Sequence, residues 1–296
     1  MSNKEVREEY LKKLEKIRKG RFVKVDDFKK RYETKMKHRA FNILGNVAVV
    51  NFSDETKASE KKKFADKILK ENLSVKTVLE KSGKFSGRLR KMKTKFLAGE
   101  KIKEVLYKEN GCVFRFNIDS TYFSPRLSNE RKEIASKIKK DDEVLVMFAG
   151  VSPYSIVIAK NSKAKKVYSN EINREANKYA KLNIELNSLK DKVELIPGDM
   201  KKVTDNLKKQ KKEFDVIVMP RPQLKETFLK QAFMLSKKGT RIFYYDFCKI
   251  GEEKEIIDKI KEEAKKAKKK IKILRKKKAG EIAPFKVRLR VDFVIT

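Results

Sequence analysis

Apolar residues in the second half of the chain come in short dense runs, separated by stretches of helical spacing. EVLVMFA (143–149), KKVYSNEI (165–172), KVELIPGD, FDVIVMP (214–220) and GTRIFYYDF (239–247) read as strands. Between them, SIVIAKN, REANKYAKLNIELNS and QLKETFLKQAFML read as helices, and a long basic helix is predicted over about 252–268. FKVRLRVDFVIT supplies a closing strand. Strands that alternate with helices of about 10–15 residues predict an α/β domain with a doubly wound, mostly parallel sheet.

The first half has another character. FNILGNVAVVNF is an apolar run broken by Gly45-Asn46, which predicts a hairpin or strand–turn–strand. ETKASEKKKFADKILKENL follows at helical spacing with Phe64, Ile68 and Leu69 on its apolar face, and SVKTVLEK and GCVFRFNID read as strands. Residues 36–118 therefore form a small α+β domain ahead of 119–296. Val6, Tyr10, Leu14 and Ile17 give residues 1–35 the spacing of a basic helical arm.

Composition narrows the function. The 296 residues carry 77 Lys+Arg against 41 Asp+Glu, a formal net charge of +36. Lys supplies 61 of the basic residues and Arg 16, so part of the excess is explicable as a compositional bias. Asp and Glu do not keep pace, however, and the surplus predicts a polyanion-binding surface, nucleic acid ahead of an anionic membrane. Three segments hold much of it: 1–40 with 15 basic against 7 acidic residues, 81–108 with 10 against 2, and 259–278 with 12 against 2. No apolar run is long enough to span a bilayer, and the charged N-terminus lacks the apolar stretch of a secretory signal. With Cys112 and Cys248 the only cysteines and His38 the only histidine, a zinc cluster, a disulfide framework and a His-based triad are excluded. The expectation is a cytoplasmic protein, monomeric and without a metal site.

In a doubly wound sheet the ligand lies outside the carboxyl ends of the strands. After the first strand comes Phe148-Ala149-Gly150-Val151-Ser152-Pro153-Tyr154, where Gly150 lets backbone approach a ligand closely. After the second comes Asn170-Glu171-Ile172-Asn173, with an acid placed to accept both ribose hydroxyls. After the third comes Gly198-Asp199-Met200, whose carboxylate suits an adenine amino group. Each element alone is commonly a turn or a helix cap; three in order at consecutive strand ends indicate an adenosine pocket. G-x-G-x-x-G and GKS/GKT are both absent, which disfavours dinucleotides and a P-loop and favours S-adenosylmethionine.

Ahead of the first strand stands NIDSTYFSPRLSNER (117–131). Together with LGNVAVVNF, LAGEK, FAGVSPY, NEIN, GDM and the MPRP segment, this block resembles the archaeal and eukaryotic tRNA (guanine-37-N1)-methyltransferase family over about 36–296. The resemblance implies a class I, Rossmann-like methyltransferase domain after a small α+β domain. It also implies that the family's N-terminal tRNA-recognition domain is absent, or reduced to residues 1–35. Its substrate would be the tRNA anticodon loop and its cofactor S-adenosylmethionine.

Roles follow by the same resemblance. Glu130 matches the general base that takes the N1 proton of guanine, and Arg90 matches an arginine that holds the purine O6. Arg126 and Arg131 flank the base and suit phosphate, base or cofactor contacts. Tyr122, Phe148, Ala149, Gly150, Val151, Glu171, Ile172, Asp199, Met200, Pro220 and Pro222 would bind the cofactor. Without the resemblance, Arg126–Glu130–Arg131 reads more simply as a surface ion-pair cluster at a helix start.

Two departures matter. Ser152 stands where the family has a second glycine. Pro220 of Met219-Pro220-Arg221-Pro222 replaces the Asn of an Asn-x-Pro motif, and proline donates no hydrogen bond; Arg221 could contact the base or a phosphate instead. Some archaeal relatives methylate the wyosine precursor 4-demethylwyosine at the same position, and a remodelled base pocket fits that alternative too. A catalytically inactive RNA-binding protein would show a ruined cofactor loop, whereas Gly150, Glu171 and Asp199 survive. An amino-directed enzyme would carry Asn/Asp-Pro-Pro-aromatic at the fourth strand end, which MPRPQ does not match, and neither cysteine lies in a catalytic loop.

Overall fold

The break at Gly45-Asn46 separates β1 (Phe41–Leu44) from β2 (Val47–Val50), an antiparallel pair in a computed structural model that describes residues 41–83, 92–283 and 285–296. Helix α1 (Ala58–Glu71) carries the chain across to β3 (Thr77–Lys81), parallel to β2, and β4 (Thr94–Gly99) returns antiparallel. The order is β1-β2-β3-β4. Alternate residues face opposite ways: Ala48, Val50, Val78 and Ala98 pack with Ala65 and Ile68 of α1, while Leu44, Val47, Val49 and Leu79 join the core of the larger unit.

Strands β5 (Glu104–Glu109) and β6 (Cys112–Asn117) form a separate antiparallel hairpin. A short 3-10 turn, Pro125–Leu127, leads into α2 (Ser128–Ser136). Beyond it the strand–helix alternation appears as predicted: β7 (Glu143–Val146), α3 (Pro153–Asn161), β8 (Lys166–Glu171), α4 (Arg174–Leu186), β9 (Val193–Pro197), α5 (Met200–Lys209), β10 (Phe214–Met219), α6 (Leu229–Met234), β11 (Ser236–Lys249), α7 (Glu253–Lys266), β12 (Ile271–Ala283) and β13 (Lys286–Ile295). The seven strands run in the order β12-β13-β11-β10-β7-β8-β9. The five from β11 to β9 are parallel, and β13 is antiparallel to both β11 and β12. Val144, Val146, Val216, Val218 and Tyr245 pack on the face of α2, α3 and α4; Leu145, Met147, Ile217, Met219 and Tyr244 pack on that of α5, α6 and α7. This is the doubly wound, mostly parallel sheet that the alternation of strands and helices predicts.

Four details differ from the sequence reading. Helix α5 buries Met200, Val203, Thr204 and Leu207 at helical spacing although lysines surround them. The basic stretch up to 278 is divided between α7 and β12, and β12 is an edge strand, where lysines block further strand pairing. The helix expected over QLKETFLKQAFML shrinks to Leu229–Met234. Cys248 lies inside β11 rather than after it.

Hairpin β5–β6 is fastened to the larger unit by α4. Asn183 Oδ1 accepts the N–H of Arg115 at 2.7 Å while its Nδ2 donates to the Arg115 carbonyl at 3.1 Å. One turn on, Asn187 does the same to Val113, at 2.9 and 2.7 Å. The β1–β2 turn rests on this hairpin in turn: Asn46 Oδ1 accepts from Leu106 N–H at 2.8 Å. Gly45 is required there, because its φ is +56° and a Cβ would stand 1.8 Å from the Leu106 carbonyl oxygen. Among the described residues no helix is long and apolar enough to cross a membrane.

Candidate active site

The loop after β7 is tightly wound. Phe148, Gly150 and Ser152 all have positive φ, +59°, +60° and +66°. The left-handed conformation strains the two non-glycine residues. At Ser152, where the family pattern has glycine, the hydroxyl is held 2.8 Å from that of Ser169, which also receives the Ser155 hydroxyl at 2.8 Å. At Gly150 a Cβ would come within 3.3 Å of the Tyr122 carbonyl oxygen, so glycine lets the loop lie close to the YFSPR segment.

Glu171 closes the end of β8 against this loop. Its Oε2 accepts the Gly150 N–H at 2.8 Å, and its Oε1 accepts those of Ile172 and Asn173 at 2.9 and 2.8 Å. Desolvation pushes the carboxyl above its usual range, opposed by these amides of Asn173, Gly150 and Ile172. Three of about four acceptor positions on the carboxylate are thus filled by the protein, leaving room for one ribose hydroxyl rather than the two expected unless an amide lets go. Asn173 caps α4 by accepting from Glu175 N–H at 3.0 Å and donates its amide to the Ser120 carbonyl at 2.9 Å. Asn170 donates to the carbonyls of Ile196 and Gly198, at 2.8 and 3.1 Å, which ties the β8 and β9 ends together.

Around Glu171 lies a cavity that opens to solvent at the carboxyl ends of the strands. Of the residues expected at the cofactor, Tyr122, Phe148, Gly150, Glu171, Ile172, Met200, Pro220 and Pro222 line it; Asn170, Asn173, Ala176, Gly198, Leu224 and Phe228 line it as well. Phe148 meets Phe228 edge-on at 5.0 Å between centroids. Leu224 and Phe228 carry no signal in the sequence, because the 223–235 segment reads as one continuous helix.

Several expected residues do not reach the cavity. Ala149 and Val151 are buried in the core beneath the loop. Asp199, between two lining residues, caps α5 by accepting from Lys201 N–H at 2.9 Å. Arg126 is exposed on the 3-10 turn. Arg131 is wholly buried: its guanidinium forms a forked ion pair with Glu109 of β5, donates to the Ser124 carbonyl at 3.0 Å, and stacks over Phe123 at 5.1 Å. It is a structural clamp rather than a cofactor contact. Arg90 and the 1–35 arm lie outside the described residues.

Glu130, in the first turn of α2, is 5 % exposed and sits in a network of charges. Lys277 of β12 donates to its Oε1 at 2.5 Å; Arg290 of β13 and Tyr245 of β11 donate to its Oε2 at 2.6 and 3.1 Å. Arg290 also pairs with Glu133 at 2.6 Å and with Asp292 at 2.7 Å. Instead of a surface cluster around Arg126 and Arg131, the ER block thus feeds two separate buried ion-pair systems.

Arg221 contradicts the suggestion that it contacts RNA. It points away from the cavity mouth into the core, 1 % exposed, with Nη1 on Asp246 at 2.5 Å and Nη2 on the carbonyls of Leu224 and Glu226 at 2.7 and 2.5 Å. It pins the loop that presents Pro220, Pro222 and Leu224.

Comparison with known proteins agrees with this geometry. Residues 105–274 match the TRM5/TYW2 methyltransferase domain, and residues 28–102 match the TYW2 N-terminal domain. The chain is 32% identical over 305 aligned positions to the tRNA (guanine(37)-N(1))/4-demethylwyosine(37)-methyltransferase Taw22 of Nanoarchaeum equitans, covering 86% of this chain and 99% of that protein. The complex of aTrm5 with tRNALeu superposes with a TM-score of 0.77 at 27% identity, over 92% of this chain and 76% of that one. Methanocaldococcus jannaschii Trm5 in complex with adenosine superposes with a TM-score of 0.74 at 29% identity, over 92% and 78%. With the seven-stranded sheet, the carboxyl-end cavity and a domain match spanning more than half of its length, the chain belongs to the TRM5/TYW2 methyltransferase family.

Proposed function

We propose that this protein transfers a methyl group from S-adenosylmethionine to N1 of guanine at position 37 of tRNA, acting as a cytoplasmic monomer on the anticodon loop. One observation carries the reading: the ends of three consecutive strands close an apolar-walled cavity around Glu171 and Gly150. Ile172, Met200, Phe148 and Pro220 offer apolar walls for an adenine ring, and Glu171 offers an acceptor for a ribose hydroxyl. The glycines needed to cradle a phosphate are missing, so a phosphate-free nucleoside fits. When bound, S-adenosylmethionine supplies an electrophilic methyl group.

The chain's own residues supply the rest. Guanine N1 carries a proton at neutral pH, and a base must take it as the methyl arrives. Glu130 is proposed for that role: it stands in the first turn of α2, and Lys277, Arg290 and Tyr245 orient its two oxygens by donating to them. Arg90 is proposed to hold O6 of the purine. The boundary between the two units is better placed near residue 103 than at 118, since α4 holds the β5–β6 hairpin and the two family matches meet between 102 and 105.

A second reading, methylation of 4-demethylwyosine at the same position, has its own support. Pro220 puts an apolar ring on the cavity wall where the family pattern has an amide donor, and the Taw22 relative is named for both substrates. Mass spectrometry of nucleosides, after incubation with S-adenosylmethionine and tRNA carrying either base, tests both. Methylated guanosine is expected from the first tRNA. If neither tRNA yields a methylated nucleoside, the proposal is wrong.

A further inference from the structure

Arg288 and Arg290 project from the same face of β13, two residues apart, yet their surroundings differ. Arg290 is fully buried and paired with Glu130, Glu133 and Asp292. Arg288 is only 8 % exposed, and no carboxylate or hydrogen-bond acceptor partners it among the described residues; its guanidinium lies over the Phe247 ring, 5.1 Å from the centroid. A charge so largely buried is ordinarily paired. Here the guanidinium nitrogens keep some contact with solvent and have no protein acceptor among the described residues, which leaves them open to a ligand.

The surroundings say what kind. Arg288 is in register with Phe247 at the carboxyl end of β11, the same end of the sheet as the cavity. On its other side it is in register with Gly280 of β12, where an added Cβ would meet nothing within 4 Å. The neighbouring strand therefore leaves open space beside the guanidinium. Arg126, on the 3-10 turn that packs beside β12 and leads into α2, is exposed and adds a second cation on this face. The α2 carboxylates Glu130 and Glu133 already belong to Lys277 and Arg290. A planar guanidinium stacked on an aromatic ring, with its nitrogens uncommitted, matches the forked geometry of two phosphate oxygens.

We infer that Arg288, stacked on Phe247, is a phosphodiester-binding site that holds the RNA backbone next to the target nucleotide. Arg288 is then a binding residue distinct from the cofactor cavity and from the Glu130 network. The inference rests on the reading of RNA as the substrate.

Binding of unmodified tRNA, measured across a salt series, tests it. Arg288→Gln should weaken binding about tenfold and reduce the slope of log affinity against log salt by about 0.7–0.9, the value for one lost phosphate contact. Its affinity for S-adenosylmethionine should match the wild type, which also reports that it is folded. Lys238→Gln, an exposed lysine near the amino end of β11, should leave the slope unchanged. Arg288→Lys should keep the slope yet bind several-fold more weakly, having lost the stacked plane; it decides the matter if the glutamine variant does not fold. A wild-type protein that binds no tRNA would sink the RNA reading itself. Wild-type binding with an unchanged slope in Arg288→Gln, an equal loss in Lys238→Gln, or full affinity in Arg288→Lys would overturn the inference alone.

Discussion

Asn183 of α4 pairs with Arg115 of β6 as a neighbouring strand would, accepting from its N–H at 2.7 Å and donating to its carbonyl at 3.1 Å. A helix side chain thereby satisfies both main-chain groups of a strand edge, and its Nδ2 also reaches the Val151 carbonyl under the cofactor loop, at 3.2 Å. Replacing Asn183 with Leu leaves these buried groups unbonded. Each such group costs about 1–3 kcal/mol, so a loss of about 3 kcal/mol is expected in urea unfolding, with the midpoint lowered. A change under 1 kcal/mol would show that the hairpin is held otherwise.

Glu171→Gln tests the cofactor pocket. An amide cannot accept at both ends, so at least one of the Gly150, Ile172 and Asn173 N–H groups loses its partner. Cofactor affinity, read by calorimetry, should fall about 10- to 100-fold, the worth of one hydrogen bond to a charged group. The wild-type pH dependence has a definite sign. Burial raises the Glu171 carboxyl, and its ionised form accepts from a ribose hydroxyl more strongly than its protonated form. Affinity should therefore decline as pH falls, starting above the pH at which an ordinary carboxylate, near 4.3, protonates. Flat affinity down to pH 4 would contradict the assignment.

Acid unfolding reports on the network around Glu130. Despite desolvation, which would raise it, hydrogen bonds from Arg290 and Lys277 hold the Glu133 carboxyl down to about 2. A carboxyl lowered by folding stabilises the protein above its unfolded value, near 4.3, and that contribution disappears as pH falls from there towards 2. Lys277→Met removes one of the cations paired with Glu133 and should move the acid-unfolding midpoint, followed by circular dichroism, to higher pH. No movement would mean that Lys277 contributes nothing to the network.

Much of this arrangement was legible in the sequence because it depends on local patterns. The apolar runs of β7, β8 and β10 are buried on both faces and announce a parallel sheet, and the three ligand-binding ends follow from their order. Where a residue's role is set by a distant partner, the sequence misled. Arg131 finds Glu109 from another element, and Arg221 finds Asp246 across the sheet. Both looked like free cations suited to RNA. Strand β12 was hidden by its lysines, which suit an edge strand as well as they suit a nucleic-acid surface. Arg288 went unnoticed inside an otherwise ordinary closing strand.

The Arg221–Asp246 pair makes its own prediction. Arg221→Met leaves the buried Asp246 without a cation, held only by the Tyr244 hydroxyl at 2.8 Å and the Phe247 N–H at 2.9 Å, and frees the Leu224 and Glu226 carbonyls. Breaking such a pair costs about 3–5 kcal/mol. The wall formed by Pro220, Pro222 and Leu224 should loosen, so cofactor affinity should fall together with thermal stability. Arg221→Lys should restore part of each. Unchanged cofactor affinity in a folded Arg221→Met protein would show that the wall holds its shape without the pair.

The central claim is methyl transfer to N1 of guanine 37, and labelled S-adenosylmethionine tests it most directly. Two tRNA transcripts, identical except for guanine or adenine at position 37, are incubated with the protein and the label in RNA is counted. Label is expected in the guanine transcript alone, reduced at least a hundredfold by Glu130→Gln, at the low end of what a general base contributes. Equal label in both transcripts, or full activity without the Glu130 carboxylate, would contradict it.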